Sequence, residues 1–216
     1  MQDNVLVKGL VLKDEPIGEY DRRVVILTKE RGKISAFAKG ARKPNSRFVA
    51  GTNPFVFADF KLYEGRSSYT LNDVNVINYF EYMREDMEAA YYGMYFLEVA
   101  DYYTRENNDE IMMLGLLYQS LRALGASSLN KRLVRYIYEI KATVVNGEFP
   151  GVRQDKDYSP DARYAVDYIV NSDIEKLYTF TLSDSVLKEV GEIAEDTFKR
   201  IVGVKFKSLE MLSVLE

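Results

Sequence analysis

The 216-residue chain contains no histidine, no cysteine and no tryptophan. Without imidazole there is no Ser-His or Cys-His nucleophile pair and no histidine metal site. Without thiols there is no disulfide, thiolate nucleophile, iron–sulfur cluster or zinc ribbon. No run of about 18 apolar residues is present, so no membrane partner is expected. No charged-then-apolar leader precedes the strand-like residues that follow Met1-Gln2-Asp3-Asn4, and the expected compartment is the cytoplasm. Carboxylates, lysines, tyrosines and hydroxyls remain for chemistry. They form no Walker loop, GxGxxG or nucleophile elbow. Asp109-Glu110 and Glu195-Asp196 are sequence neighbours and diverge around a helix, while Glu85/Glu88 and Glu192/Glu195 read as solvated helix surface. No catalytic residue, metal site or cofactor is expected.

Hydrophobic residues make up 47% and charged residues 29% of the chain, an ordinary globular balance. The net charge of −4 is unevenly placed. Residues 1–80 hold 13 Lys/Arg against 9 Asp/Glu, whereas residues 81–216 hold 16 against 24. Nine cations lie between Arg22 and Arg47 (Arg22, Arg23, Lys29, Arg31, Lys33, Lys39, Arg42, Lys43, Arg47), with Glu30 the one acid among them. An acidic chain that gathers cations into one short stretch is expected to present an anion-binding surface. The plainer reading is a lysine-blunted edge strand.

Val5–Lys13, Arg22–Thr28, Lys33–Lys39, Pro54–Tyr63 and Ser68–Val76 read as strands, and Gly32 supplies the positive φ of a hairpin turn. Gly40–Gly51, with two glycines and a proline, reads as a loop. Five short strands in about 75 residues point to a small barrel, and a five-stranded barrel that binds oligonucleotides is the OB-fold. Helical spacing then takes over across Asp86–Thr104, Glu110–Leu124, Asn130–Val145, Pro160–Asn171 and from Ser183 to about Val202. Asn108 or Asp109, Ser159 and Ser183 are placed as N-caps, and Gly125 as a C-cap. The expected fold is α+β: an OB-fold domain over residues 1–80, then an all-α helical domain over 81–216 with an irregular polar stretch near 148–160.

Two groups of residues can carry binding. The first is the basic stretch, with Lys39-Gly40-Ala41-Arg42-Lys43 able to bring backbone and charge close to phosphate. Tyr20, Phe37, Phe48, Tyr63 and Tyr69 are its candidate base-stacking partners. The second is Arg122, Lys131, Arg132 and Arg135. Three of these cations start a helix, where they oppose its dipole and invite an anionic peptide or phosphate; core packing accounts for most of their apolar neighbours.

The sequence also resembles a known family. Gly18-Glu19-Tyr20-Asp21, the run from Leu27 to Ile34, Ala38-Lys39-Gly40-Ala41-Arg42, Ser46-Arg47 and Pro54–Leu62 with Tyr63-Glu64-Gly65-Arg66 resemble the N-terminal barrel of the bacterial RecO recombination-mediator family. Tyr138-Glu139-Ile140-Lys141, Asn146-Gly147 and Phe149-Pro150 are similar to its central helix and the turn after it, and Phe206-Lys207-Ser208-Leu209 with Leu212 and Leu215 to its C-terminal signature. The resemblance implies an OB-fold joined to helices, no enzymatic turnover, binding of single- and double-stranded DNA, strand annealing, and assistance to RecA loading with RecR. It implies contact with the acidic C-terminal tail of single-stranded DNA-binding protein. Lys39, Arg42 and Arg47 are the implied principal DNA contacts, and the region of Arg122, Lys131, Arg132 and Arg135 the implied tail site. Many members carry a four-Cys zinc module after the turn matching Asn146–Pro150; here Gly151–Asp161 has no cysteine. The competing readings are a protein-only adaptor whose helices dock peptides, and a carboxylate-metal phosphotransfer or nuclease activity.

Overall fold

The computed structural model describes residues 4–66 and 68–212. Ser67, between the fourth and fifth expected strands, and Leu215 in the terminal signature lie outside them.

Five strands, β1 (Asn4–Ile17), β2 (Asp21–Thr28), β3 (Gly32–Ala38), β4 (Phe57–Glu64) and β5 (Tyr69–Asn78), close into a barrel in the order β1-β2-β3-β5-β4. This is the expected OB-fold. Alternation builds it: in β3, Ile34, Ala36 and Ala38 point into the core while Lys33, Ser35 and Phe37 face outward. β1 pairs with β4 over Asn4–Leu10 and with β2 over Gly9–Ile17, so the strand must change neighbours at Gly9. A Cβ there would lie 2.4 Å from the Leu27 carbonyl oxygen, which leaves room only for glycine. Strand β4 starts at Phe57 rather than Pro54, because residues 54–56 turn the chain inward and bury Val56 with Ala41 and Phe48 in the barrel core.

The seam between β3 and β5 is short, with two parallel pairs, Ala36–Tyr69 and Phe37–Thr70. The rest of the β3 edge is covered from outside the barrel sequence. The Lys33 N–H donates to the Arg105 carbonyl at 3.0 Å, and the Asn107 N–H to the Arg31 carbonyl at 3.2 Å. Gly32, at φ +64°, would place a Cβ 2.6 Å from the Arg105 carbonyl. Paired edges leave no template for aggregation. The first compact unit accordingly comprises Met1–Glu81 together with Leu97–Leu114.

The helices are α1 (Met87–Tyr103), α2 (Ile111–Leu124), α3 (Lys131–Val145), α4 (Pro160–Asn171), α5 (Asp184–Ile201) and α6 (Lys207–Leu212). Tyr82–Phe96 and Gly115–Glu216 form the second compact unit. Asp109 accepts from the Ile111 N–H at 3.2 Å and Asn130 from the Arg132 N–H at 2.9 Å. Ser159 accepts from the Ala162 N–H at 3.2 Å, with Pro160 opening α4. Helix α3 is the core of this unit: Tyr138 stacks on Phe96 with centroids 4.3 Å apart and donates to the Phe96 carbonyl at 2.8 Å. Gly191 of α5 lets Tyr136 of α3 approach, since a Cβ would meet the ring at 2.7 Å.

The cysteine-free stretch before α4 is organised by Arg163. Its guanidinium donates to the carbonyls of Lys156 (2.7 Å), Tyr158 (3.3 Å) and Arg153 (3.4 Å). The Ser159 N–H donates to Glu189 of α5 at 2.6 Å. A rigid five-donor fork thus collects the loop's carbonyls. Among the described residues no helix is long and apolar enough to cross a membrane.

Candidate nucleic-acid interface

The β2–β3 hairpin sorts the nine clustered cations into two groups. Arg22 and Arg23 start β2 opposite Ala38 and Phe37, whereas Thr28 faces Gly32 at the turn. At about 3.3 Å per residue, the two ends of this hairpin are roughly 20 Å apart. Lys29, Arg31 and Lys33 belong to the turn end. Arg22, Arg23, Lys39, Arg42, Lys43 and Arg47 belong to the other.

Five of the nine pair with the chain's own carboxylates. Arg22 reaches Asp14 at 3.4 Å and donates to Thr52 (3.1 Å) and Asn53 (2.8 Å). It shares the inward parity of Val24 and Ile26, so it ties the loop before β4 to the barrel rather than facing solvent. Lys33 binds Asp101 at 2.8 Å, Arg31 lies 3.5 Å from Glu64, and Arg23 lies 3.9 Å from Glu15. Arg47 touches Asp73 at 3.6 Å and the Asn72 carbonyl, yet its side chain stays 64% exposed. Among the described residues, Lys29, Lys39, Arg42 and Lys43 form no ion pair, and all four are exposed.

Lys39, Arg42 and Lys43 share one piece of architecture. Asp21 accepts from the Gly40 N–H at 2.7 Å, holding the turn after β3 at φ +67°. The Arg42 N–H donates to the Tyr20 carbonyl at 2.8 Å, and its guanidinium to the Gly18 carbonyl at 3.1 Å. The β1–β2 turn and the loop after β3 are therefore stapled together. The Lys43 ammonium sits 5.3 Å from the Tyr20 ring centroid. The neighbouring Glu19 carboxylate pushes the Tyr20 phenol pKa upward.

Of the aromatics expected to stack on bases, Phe48 and Tyr69 are core residues and are unavailable. Phe37 and Tyr63 are half-buried, and Tyr20 is exposed. The holding contacts of Asp14, Thr52, Asn53 and Asp21 were not foreseen; only the φ-permissive Gly40 beside cations hinted at a fixed turn.

The second candidate group is divided more sharply. Lys131 is clamped between Asp86 (2.7 Å) and Glu88 (2.9 Å). Burial works to lower its pKa, but the two carboxylates outweigh it and the net shift is upward. Arg135 lies inside the helical unit, 2.8 Å from Glu139 and 3.2 Å from Glu195. Burial raises the Glu139 pKa against the pull of Arg135 and Tyr95, whose hydroxyl donates to it at 2.7 Å. Arg122 is exposed and reaches Gln119 at 3.4 Å. Lys131 and Arg132 line an open cleft of about 1150 Å³ within the helical unit. Glu85, Asp86, Glu88, Asp184, Glu192 and Glu195 line the same cleft, so carboxylates outnumber cations there.

Residues 1–80 match the family model described as Recombination protein O N terminal, and residues 84–157 the model Recombination protein O C terminal. The chain is 29% identical to the DNA repair protein RecO of Acetivibrio thermocellus over 96% of both chains. It is 34% identical to that of Alkaliphilus metalliredigens over 68% of this chain and 59% of that protein, and 25% identical to that of Clostridium novyi over 97% and 93%. A closed barrel matching the first model, and helices running through the second, place the chain in the recombination protein O (RecO) family.

Proposed function

We propose that the chain is a DNA repair and homologous recombination mediator that binds single- and double-stranded DNA without sequence specificity. In this reading residues 1–80 are the nucleic-acid-binding domain and 81–216 the helical partner domain. The protein anneals strands and helps load RecA together with RecR and single-stranded DNA-binding protein, without turning over a substrate. The relatives named DNA repair protein RecO support the process. The observation that carries the binding mode is the cluster of Lys39, Arg42 and Lys43, exposed and without an acid partner among the described residues, beside the half-committed Arg47. Of the tail-site cations, Arg122 and Arg132 are the exposed ones. Lys131 and Arg135 are occupied by their own carboxylates.

Each phosphate neutralised on a single strand contributes about −0.7 to the log–log salt slope. Four contacts from Lys39, Arg42, Lys43 and Arg47 give a slope of about −3. Replacing Lys39, Arg42 and Arg47 with alanine flattens it by about 2 in an anisotropy titration. An unchanged slope puts the DNA elsewhere. A labelled strand that stays unbound at low salt favours instead the adaptor reading, for which the cleft of the helical unit is the supporting observation.

A further inference from the structure

Phosphates are displayed by duplex and single strand alike, so the Lys39–Arg47 cations by themselves have little means of telling the two apart. An exposed ring can, because an aromatic face reaches a base only when that base is unpaired. Tyr20 is 44% exposed, while the core holds Phe48 and Tyr69 at 8% each. Its backbone is also held. Its carbonyl accepts the Arg42 N–H at 2.8 Å, and the Lys43 ammonium lies 5.3 Å from the ring centroid. Gly18 at φ +56° lies two residues before it, and Gly40 at φ +67° opens the loop whose Arg42 N–H its carbonyl accepts. An exposed aromatic ring on a fixed turn, beside Arg42 and Lys43, which form no ion pair among the described residues, is placed to receive a planar anionic polymer.

We propose that Tyr20 is the stacking plate for an unpaired base, with Arg42 and Lys43 on the flanking phosphates, and that it makes this end of the barrel prefer single strands over duplex. This rests on the DNA-binding reading above and adds to it the residue that sets strand preference.

The test uses the full chain with a labelled single strand and a duplex of equal length. Tyr20→Leu weakens single-strand binding by about tenfold and leaves duplex binding unchanged, while Tyr20→Phe retains both. A strand carrying 2-aminopurine is quenched on saturation with the natural protein and with Tyr20→Phe, and stays bright with Tyr20→Leu. Equal losses on both DNAs mean that Tyr20 only props the loop, and this overturns the proposal. So does full single-strand affinity in Tyr20→Leu, even with duplex binding intact, and that outcome leaves the DNA-binding reading standing. If the natural protein binds neither DNA, the DNA-binding reading itself falls and the stacking plate with it.

Discussion

The barrel loop after β3 and the start of helix α3 have similar sequences of charge, yet their cations lead opposite lives. Lys39, Arg42 and Lys43 stand in solvent with no acid partner among the described residues. Lys131 and Arg135 are consumed by Asp86, Glu88, Glu139 and Glu195. A cation at a loop tip keeps its charge for a ligand. A cation on a helix that forms the middle of a helical unit must bring a counter-ion with it, because an isolated buried charge is prohibitively costly. Composition alone does not separate these cases; the number of carboxylates within reach does.

The contrast is broken hardest at Arg135. Its side chain is 13% exposed and its partner Glu139 only 1%. Arg135→Ala leaves a buried carboxylate uncompensated and is expected to cost about 3–5 kcal/mol in denaturant unfolding. Changing Arg135 and Glu139 together to apolar residues of similar size recovers most of that loss. DNA binding by the surviving folded protein stays as in the natural chain. Loss of stability no larger than that of an exposed lysine would place Arg135 with the loop cations after all.

Arg22 tests the same distinction within the barrel itself. It sits among the nine clustered cations, but it is spent on Asp14, Thr52 and Asn53. Arg22→Ala is expected to destabilise the protein by about 1–3 kcal/mol, the cost of stranding the Thr52 and Asn53 acceptors and the Asp14 carboxylate. Lys39→Ala leaves the melting curve in place and lowers DNA affinity. If the two substitutions act alike in both measurements, the sorting of cations by their partners is wrong.

These assignments mark where sequence reading runs out. Period-2 alternation in Lys33–Lys39 and the helical spacing of Asn130–Val145 carry the strands, helices and several caps, because those patterns depend on neighbours a few residues away. The pairing of charges does not. Lys33 meets Asp101, 68 positions along, and Lys131 meets Glu88, 43 positions back. Both contacts exist only after tertiary folding, as does the docking of Arg105–Asn107 on the β3 edge. Phe48 and Tyr69 were equally illegible as core: each is a single aromatic in a turn-rich or strand-end context, and closure of the barrel decides which way it faces. The Arg163 fork was hidden for the same reason, since its acceptors are main-chain carbonyls that any sequence supplies.

The smallest effect belongs to Lys131, and its pH dependence gives the finest test. Its partner Asp86 has a pKa below the ordinary 3.8, since the Lys131 and backbone hydrogen bonds overcome the upward push of burial. A carboxyl depressed in the folded state binds fewer protons there than in the unfolded chain. Its stabilisation is therefore complete above the unfolded value and is lost as the pH falls through the folded one. Lys131 shows the mirror behaviour: its raised pKa keeps the contribution whole below the unfolded lysine value of 10.5, and alkali removes it. Because Asp86 and Glu88 are partly exposed, with side chains at 37% and 52%, Lys131→Met is expected to cost no more than about 1 kcal/mol at neutral pH. The gap between natural and Lys131→Met proteins should begin to close as the pH falls below 3.8, and again in alkali above 10.5. A gap that is constant across that range would mean the lysine stem, packed against the cleft, matters more than its charge, and the helical unit would then owe its order to shape where the barrel loop owes its function to charge.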